Sequence, residues 1–130
     1  MPVSAYEIFA AAGLVSVVIA LGYILAGSPK IGSATLAAGL AAGFGAFTAV
    51  TIAREGVLLV WTNHTENLWG VQVWWDLLFA VGIAVFLIAP RARAAGMNLW
   101  PWLVFVAATA SIGLLAMVAR LFWLEARTEA

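Results

Sequence analysis

Four long apolar stretches constrain the fold of this chain more than any other feature of its sequence. They cover about residues 5–26, 31–53, 69–89 and 100–124, and together they use most of the 130 residues. A membrane-spanning helix needs roughly 20 mostly apolar residues, so each stretch is long enough to cross a bilayer. The stretches are continuous and rich in Ala, Leu and Gly, without the alternation of a membrane strand. The sequence therefore predicts an all-α, four-helix transmembrane bundle: a single domain with antiparallel up-and-down neighbours and no extramembrane domain.

Composition and charge exclude several classes of function. The chain is 65% hydrophobic and 9% charged, which is too apolar for a soluble domain. A formal net charge of zero argues against a nucleic-acid partner. Without cysteine there is no disulfide or thiolate metal site, and one histidine, His64, cannot supply the ligands of a zinc or bis-histidine haem site. We therefore predict no metal site, and we interpret His64 as a polar loop residue.

The loops between the stretches set the predicted topology. Lys30, Arg91 and Arg93 lie in the two short loops on one side, and the count of basic residues on the two sides is tied at three. The segment before Glu7 has no basic side chain to hold it inside, and Glu7 is interpreted as a helix cap. Both termini and the loop over residues 54–68 are therefore predicted to lie outside.

Two charged residues, Asp76 and Arg120, fall inside apolar stretches. A charge at the centre of a bilayer costs at least about 2.5–3.5 kcal/mol, so such residues usually pair with each other or face a cavity. If the third and fourth spans run antiparallel, both residues come out near the outer face at similar depth. We predict an ion pair between them, with Gln72 as a second partner of Asp76. Two roles stay open: a structural clip between helices, or a titrating group at Asp76.

Small residues at intervals of four mark one face of each stretch. Close approach of helices in lipid depends on such residues. The predicted packing positions are Gly39 and Gly43 in the second stretch, Ala80 in the third and Gly113 in the fourth. Packing within the bundle and contact with another membrane protein are both consistent with this pattern.

Tryptophan is abundant, with seven residues in the chain. Trp100 and Trp102 are assigned to the inner level and the other five to the outer level. Interfacial belts account for this enrichment, because indole combines an apolar ring with a polar N–H group. The unequal split also leaves room for a flat hydrophobic ligand such as a lipid, quinone or carotenoid. The candidate contacts for such a ligand are Trp69, Trp74, Trp75 and Trp123.

The second half of the chain resembles a known family. The matching segments are Trp75-Asp76-Leu77-Leu78, Phe86, residues 91–97 (RARAAGM) and residues 121–127 (LFWLEAR). Together they resemble the small bacterial integral membrane proteins catalogued as domain-of-unknown-function family 2834. The chain departs from the family pattern where Pro90 or a neighbour replaces Glu and where Ala92 interrupts a double Arg, and its first span is additional. The resemblance implies a bacterial inner (cytoplasmic) membrane protein and brings no known activity.

Two functional hypotheses follow. The first is a non-catalytic membrane subunit or scaffold, within a larger inner-membrane assembly such as a respiratory or photosynthetic complex. Its partners would be membrane lipid and other subunits or further copies of itself, and no cofactor is required. The second is a small oligomeric transporter or ion pathway in which Asp76 titrates. An enzyme is not predicted, because Asp76, Glu7 and His64 make a poor acid–base or nucleophile constellation.

Overall fold

The computed structural model describes residues 2–27 and 29–130, and within these ranges it is helical without any strand. The prediction of an all-α protein is confirmed. The helices are α1 (Ala5–Leu25), α2 (Ala34–Glu55), α3 (Leu59–Thr65), α4 (Leu68–Ala94), α5 (Leu99–Thr109) and α6 (Ser111–Glu129). Three of them, α1, α2 and α4, are long and apolar enough to cross a membrane.

Serine and asparagine side chains fix the starts of four helices. Ser4 accepts from the backbone N–H of Glu7, while the Glu7 carboxylate accepts from the N–H of Ser4. This capping box confirms the predicted capping role of Glu7. Ser33, Asn67 and Asn98 cap α2, α4 and α5 in the same way. The polar residues between the apolar stretches thus define where each helix begins.

The chain divides into two compact units, residues 1–32 and residues 33–130. In the first unit, α1 has no buried residue. The second unit contains α2 to α6, and the candidate site lies within it. Its core consists of Ala92, Met97, Val106, Met117 and Leu121.

The fourth predicted span is not a single helix. Residues 100–124 are divided between α5 and α6, because the chain breaks at Ala110 with φ 52° and ψ −112°. With 11 residues, α5 is only about 16 Å long, roughly half the thickness of a bilayer core. The prediction of a continuous span over these residues is wrong, and the predicted four-helix bundle is not confirmed.

The helices α5 and α6 pack against each other as a hairpin, and α6 also packs along α2. Near the start of α6, Ile112 lies against Gly45 in the middle of α2. Near its end, Glu125 accepts two hydrogen bonds from Arg91, at 3.1 and 2.9 Å. The C-terminal helix therefore ends beside the C-terminal end of α4. The loop over residues 54–68 precedes α4 and so lies at the other end of that helix. That both termini lie outside the membrane on the side of this loop stays a prediction.

Candidate functional site

The second unit contains a cleft of about 910 Å³. This volume lies within the range of roughly 300–1,000 Å³ that is usual for small-molecule sites. Its walls come from α2, α3, α4 and the α5–α6 hairpin. The residues that line it include Phe44, Thr48, Thr51, Glu55, Asn63, His64, Trp74, Gly82, Val85, Thr109, Ala110 and Ser111.

The cleft follows α2 and α4 over equal lengths. On α2 its lining extends from Phe44 to Glu55, and on α4 from Trp74 to Val85. Each interval is 11 residues, which corresponds to about 16 Å along a helix. The hydrocarbon core of a bilayer is roughly 30 Å thick, so this depth matches one leaflet.

Polar side chains collect at the end of the cleft formed by α3, which we call the polar end. It contains Glu55, Asn63 and His64. His64 is half-buried, its Nδ1 is hydrogen-bonded to the Val60 carbonyl, and its ring centroid lies 5.4 Å from that of Trp74. The imidazole of His64 is therefore held by a hydrogen bond to the Val60 carbonyl and by contact with the indole ring of Trp74.

A glycine lets α3 approach the start of α4 closely enough to bring His64 to Trp74. A Cβ added at Gly70 would lie 2.6 Å from the Asn63 carbonyl oxygen and 3.1 Å from the His64 Cα. A side chain at residue 70 would push the two helices apart. The polar end thus depends on Gly70 as well as on the residues that line it.

The opposite, deep end of the cleft is formed by the turn of the hairpin. Thr109 Oγ1 donates to the Phe105 carbonyl and accepts from the Gly113 N–H, both at 2.8 Å. This hydroxyl joins the last turn of α5 to the first turn of α6. The strained backbone at Ala110 and the hydroxyl-bearing Ser111 also line this end. Ala110 is half-buried and lines the cleft. Irregular backbone inside a membrane is tolerated where it lines a cavity.

The structure does not form the predicted ion pair between Asp76 and Arg120. Asp76 and Gln72 line a small groove on α4, together with Trp69, Trp75 and other α4 residues. Arg120 is exposed and stacks over the Trp123 ring, with 4.6 Å from its Cζ to the ring centroid. The antiparallel arrangement assumed for the pair is wrong, because α6 begins beside the middle of α4 and ends at Arg91. The two charged residues therefore lie at different levels along the helices.

The four candidate ligand-contacting tryptophans lie on three separate surfaces. Trp74 lines the cleft, whereas Trp69 and Trp75 line the groove beside Asp76. Trp123 lies between Arg120 and Arg127, which both stack on its ring. Of the four, Trp74 is the one that the structure brings to the cleft.

The predicted packing positions also differ in their surroundings. Gly113 is buried within the hairpin, and an added Cβ there would lie 2.8 Å from the backbone of Phe105. Gly39 and Gly43 have no described atom within 4 Å of an added Cβ, and Ala80 is exposed. Gly113 therefore permits a close helix contact within the second unit, while the Gly39 and Gly43 face is open.

Sequence reasoning missed most of the cleft. Asn63 and His64 belong to the polar part of the loop over residues 54–68. This polarity is visible in the sequence, but on its own it indicates an ordinary loop position for His64. Thr109 and Gly113, four residues apart, were treated as part of a small-residue face. Nothing in the apolar pattern indicated that the chain reverses between them.

Comparison of the chain with models of known protein families, with curated proteins and with solved structures found no match. The resemblance to family 2834 therefore stays a prediction.

Proposed function

We propose that this protein is a non-catalytic integral membrane protein that binds an amphipathic, lipid-soluble molecule in the cleft of its second unit. The observation that carries this proposal is a cleft one leaflet deep, with mainly apolar walls and with Glu55, Asn63 and His64 at one end. Such a shape suits a molecule with one polar end and a long apolar tail. Trp74 supplies the aromatic contact, as the sequence predicted for a lipid, quinone or carotenoid.

The proposed topology has three spans followed by a re-entrant hairpin. Support comes from the length of α5, about half a bilayer core, and from the contact of Arg91 with Glu125. With Ala110 near the bilayer centre, the chain would return to the side on which α5 began. The cleft would then open at the level of the leaflet that contains α3, and its floor would be the turn of the hairpin.

Cysteine labelling tests this topology, because the chain has no cysteine of its own. Asn98→Cys precedes the hairpin, Thr128→Cys follows it, and Thr65→Cys marks the end of α3. In sealed vesicles, a membrane-impermeant maleimide should label residues 98 and 128 from the same side and residue 65 from the other. Labelling of residues 98 and 128 from opposite sides would contradict the hairpin and restore a fourth span.

Two glycine substitutions test the cleft itself. Gly82 lines the cleft and Gly43 does not, and neither has a described atom within 4 Å of an added Cβ. Gly82→Phe should fill the cleft, while Gly43→Phe adds the same side chain elsewhere at a comparable position within a helix. The full chain is purified in mild detergent, and the lipids that accompany it are quantified by mass spectrometry. We expect a bound species that Gly82→Phe loses and Gly43→Phe retains; equal retention by both would refute binding in the cleft.

Membership of a larger inner-membrane assembly remains part of the proposal. The open face at Gly39 and Gly43 is available for a further copy or another subunit. Proteins that accompany the tagged chain in the same preparation identify such a partner. Loss of that partner in Gly43→Phe, with lipid binding intact, would assign the face to assembly.

The alternative, a transporter with Asp76 as its titrating group, draws no support from the cleft. Asp76 lines a different groove, whose described walls belong to α4 alone. Proton flux in liposomes that is lost in Asp76→Asn would favour the transporter over a binding protein.

A further inference from the structure

We infer that the ligand of the cleft carries a hydroxyl group at its polar end, as an isoprenoid alcohol or a hydroquinone does. This inference rests on the proposed function and narrows it to one chemical class. It is argued from the hydrogen-bonding groups that the polar end presents and from the depth of the cleft.

The hydrogen bond of His64 determines what its other nitrogen can do. A backbone carbonyl only accepts, so Nδ1 bonded to the Val60 carbonyl must carry the proton. In the neutral imidazole, Nε2 is then an acceptor. A tilted contact with the Trp74 ring helps to hold the imidazole in this orientation at the cleft. His64 therefore offers the ligand a lone pair rather than an N–H group.

Glu55 and Asn63 are the other two polar side chains at the polar end. The Glu55 carboxylate only accepts, whereas the Asn63 amide both donates and accepts. A ligand that uses both acceptors and also the Asn63 NH₂ group must donate and accept at its polar end. A hydroxyl group does both. A quinone carbonyl or an ether only accepts, and a hydrocarbon carotenoid does neither. A lipid ammonium group can donate to all three side chains, but it offers no acceptor to the Asn63 NH₂ group.

The rest of the cleft suits an apolar tail. From Glu55 to Phe44 it extends about 16 Å, and its walls beyond the polar end are mainly apolar side chains. Of the hydroxyl groups along the cleft, that of Thr51 donates to the Phe47 carbonyl and that of Thr109 to the Phe105 carbonyl, while Thr48 and Ser111 also line the cleft. A tail running from the polar end to the hairpin turn therefore meets mainly apolar side chains.

Two pairs of probes test the inference, each differing mainly in the hydroxyl group. Farnesol is compared with farnesyl methyl ether, and a decyl-substituted hydroquinone, kept reduced, with its quinone. Equilibrium binding to the purified full chain is measured by competition against radiolabelled farnesol. Each hydroxyl compound should bind about tenfold more tightly than its partner, as expected for one additional hydrogen bond. Tighter binding of farnesol would identify an isoprenoid alcohol as the ligand class, and tighter binding of the decyl hydroquinone would identify a hydroquinone.

Substitutions of His64 test whether this residue causes the difference in affinity between farnesol and its methyl ether. His64→Phe keeps a ring against Trp74 but removes the acceptor, so farnesol affinity should fall about tenfold while the ether is unaffected. His64→Gln, which places an amide oxygen near the position of Nε2, should recover part of the loss. Equal binding of farnesol and its ether by the wild-type chain would overturn the hydroxyl assignment and leave the cleft-binding proposal standing. Failure of all four probes to bind, or binding unaffected by Gly82→Phe, would overturn both.

Discussion

The hairpin of α5 and α6 predicts a large effect for a single methyl group at residue 113. In Gly113→Ala the new Cβ would lie 2.7 Å from Thr109 Oγ1 and 2.8 Å from both the carbonyl carbon and oxygen of Phe105. Two of these three atoms belong to the backbone, which cannot rotate away as the end of a side chain can. The hairpin must therefore open, or the Thr109 hydrogen bond to the Gly113 N–H must break.

The size of the effect follows from two opposing terms. Overpacking of a close contact typically costs about 1–3 kcal/mol, and contact with backbone places this site toward the upper end. Replacing Gly by Ala within a helix returns about 1 kcal/mol. The expected net loss is about 2 kcal/mol of unfolding free energy. The control Gly43→Ala has no described atom within 4 Å of its new Cβ, so it should keep the favourable term of about 1 kcal/mol.

The two variants should thus change stability in opposite directions, by a difference of about 3 kcal/mol. Reversible unfolding of the full chain in mixed micelles, followed by circular dichroism as the fraction of dodecyl sulfate rises, measures this difference. A result in which Gly113→Ala is as stable as Gly43→Ala would show that α5 and α6 do not approach each other at this position. The hairpin, and the floor of the cleft with it, would then have to be abandoned.

Two further substitutions and one double-mutant cycle test neighbouring contacts. Ala110→Gly should stabilise the chain by about 1 kcal/mol in the same assay, because φ 52° with ψ −112° suits glycine and strains alanine; a destabilised variant would contradict the turn. Gly70→Ala should weaken binding in the cleft and lower stability by about 2 kcal/mol, since its Cβ would meet the Asn63 carbonyl oxygen at 2.6 Å. The side chains of Arg91 and Glu125 are 45% and 21% exposed, so a double-mutant cycle should give a coupling energy of at most about 1 kcal/mol. This coupling energy should be smaller at high salt. A coupling energy of several kcal/mol would mean that the pair is shielded from water.

The three long helices could be predicted from the sequence because bilayer thickness fixes the number of apolar residues in a span. The predicted third span ended too early, since α4 continues through Pro90 to Ala94. Proline within the last turns removes a single backbone donor, and the helix tolerates this loss near its end. The apolar pattern defines the core of a span well and its ends less well.

The hairpin could not be predicted because its turn carries no conventional breaker. A proline or glycine usually marks a reversal, but the turn residue here is Ala110, in a conformation that alanine rarely adopts. What holds it is a tertiary arrangement: the Thr109 hydroxyl, the close approach at Gly113 and the contact of Ile112 with α2. None of these is visible in hydropathy, which sums residues 100–124 into one apolar stretch.

The error at Ala110 and the error about Asp76 and Arg120 have one origin. A continuous fourth span would carry Arg120 inside the bilayer and require a partner for it, which is why an ion pair was predicted. With the chain reversing at Ala110, Arg120 lies nine residues beyond the start of α6, about 14 Å from the turn, which is close to the boundary of a leaflet. There the exposed guanidinium can reach water while it stacks on the Trp123 ring, so no buried partner is needed. The charges of α6 thus favour the return of the chain to the side on which α5 began. A charged residue within an otherwise apolar stretch can therefore indicate a helix that crosses half of the bilayer, as well as a buried ion pair.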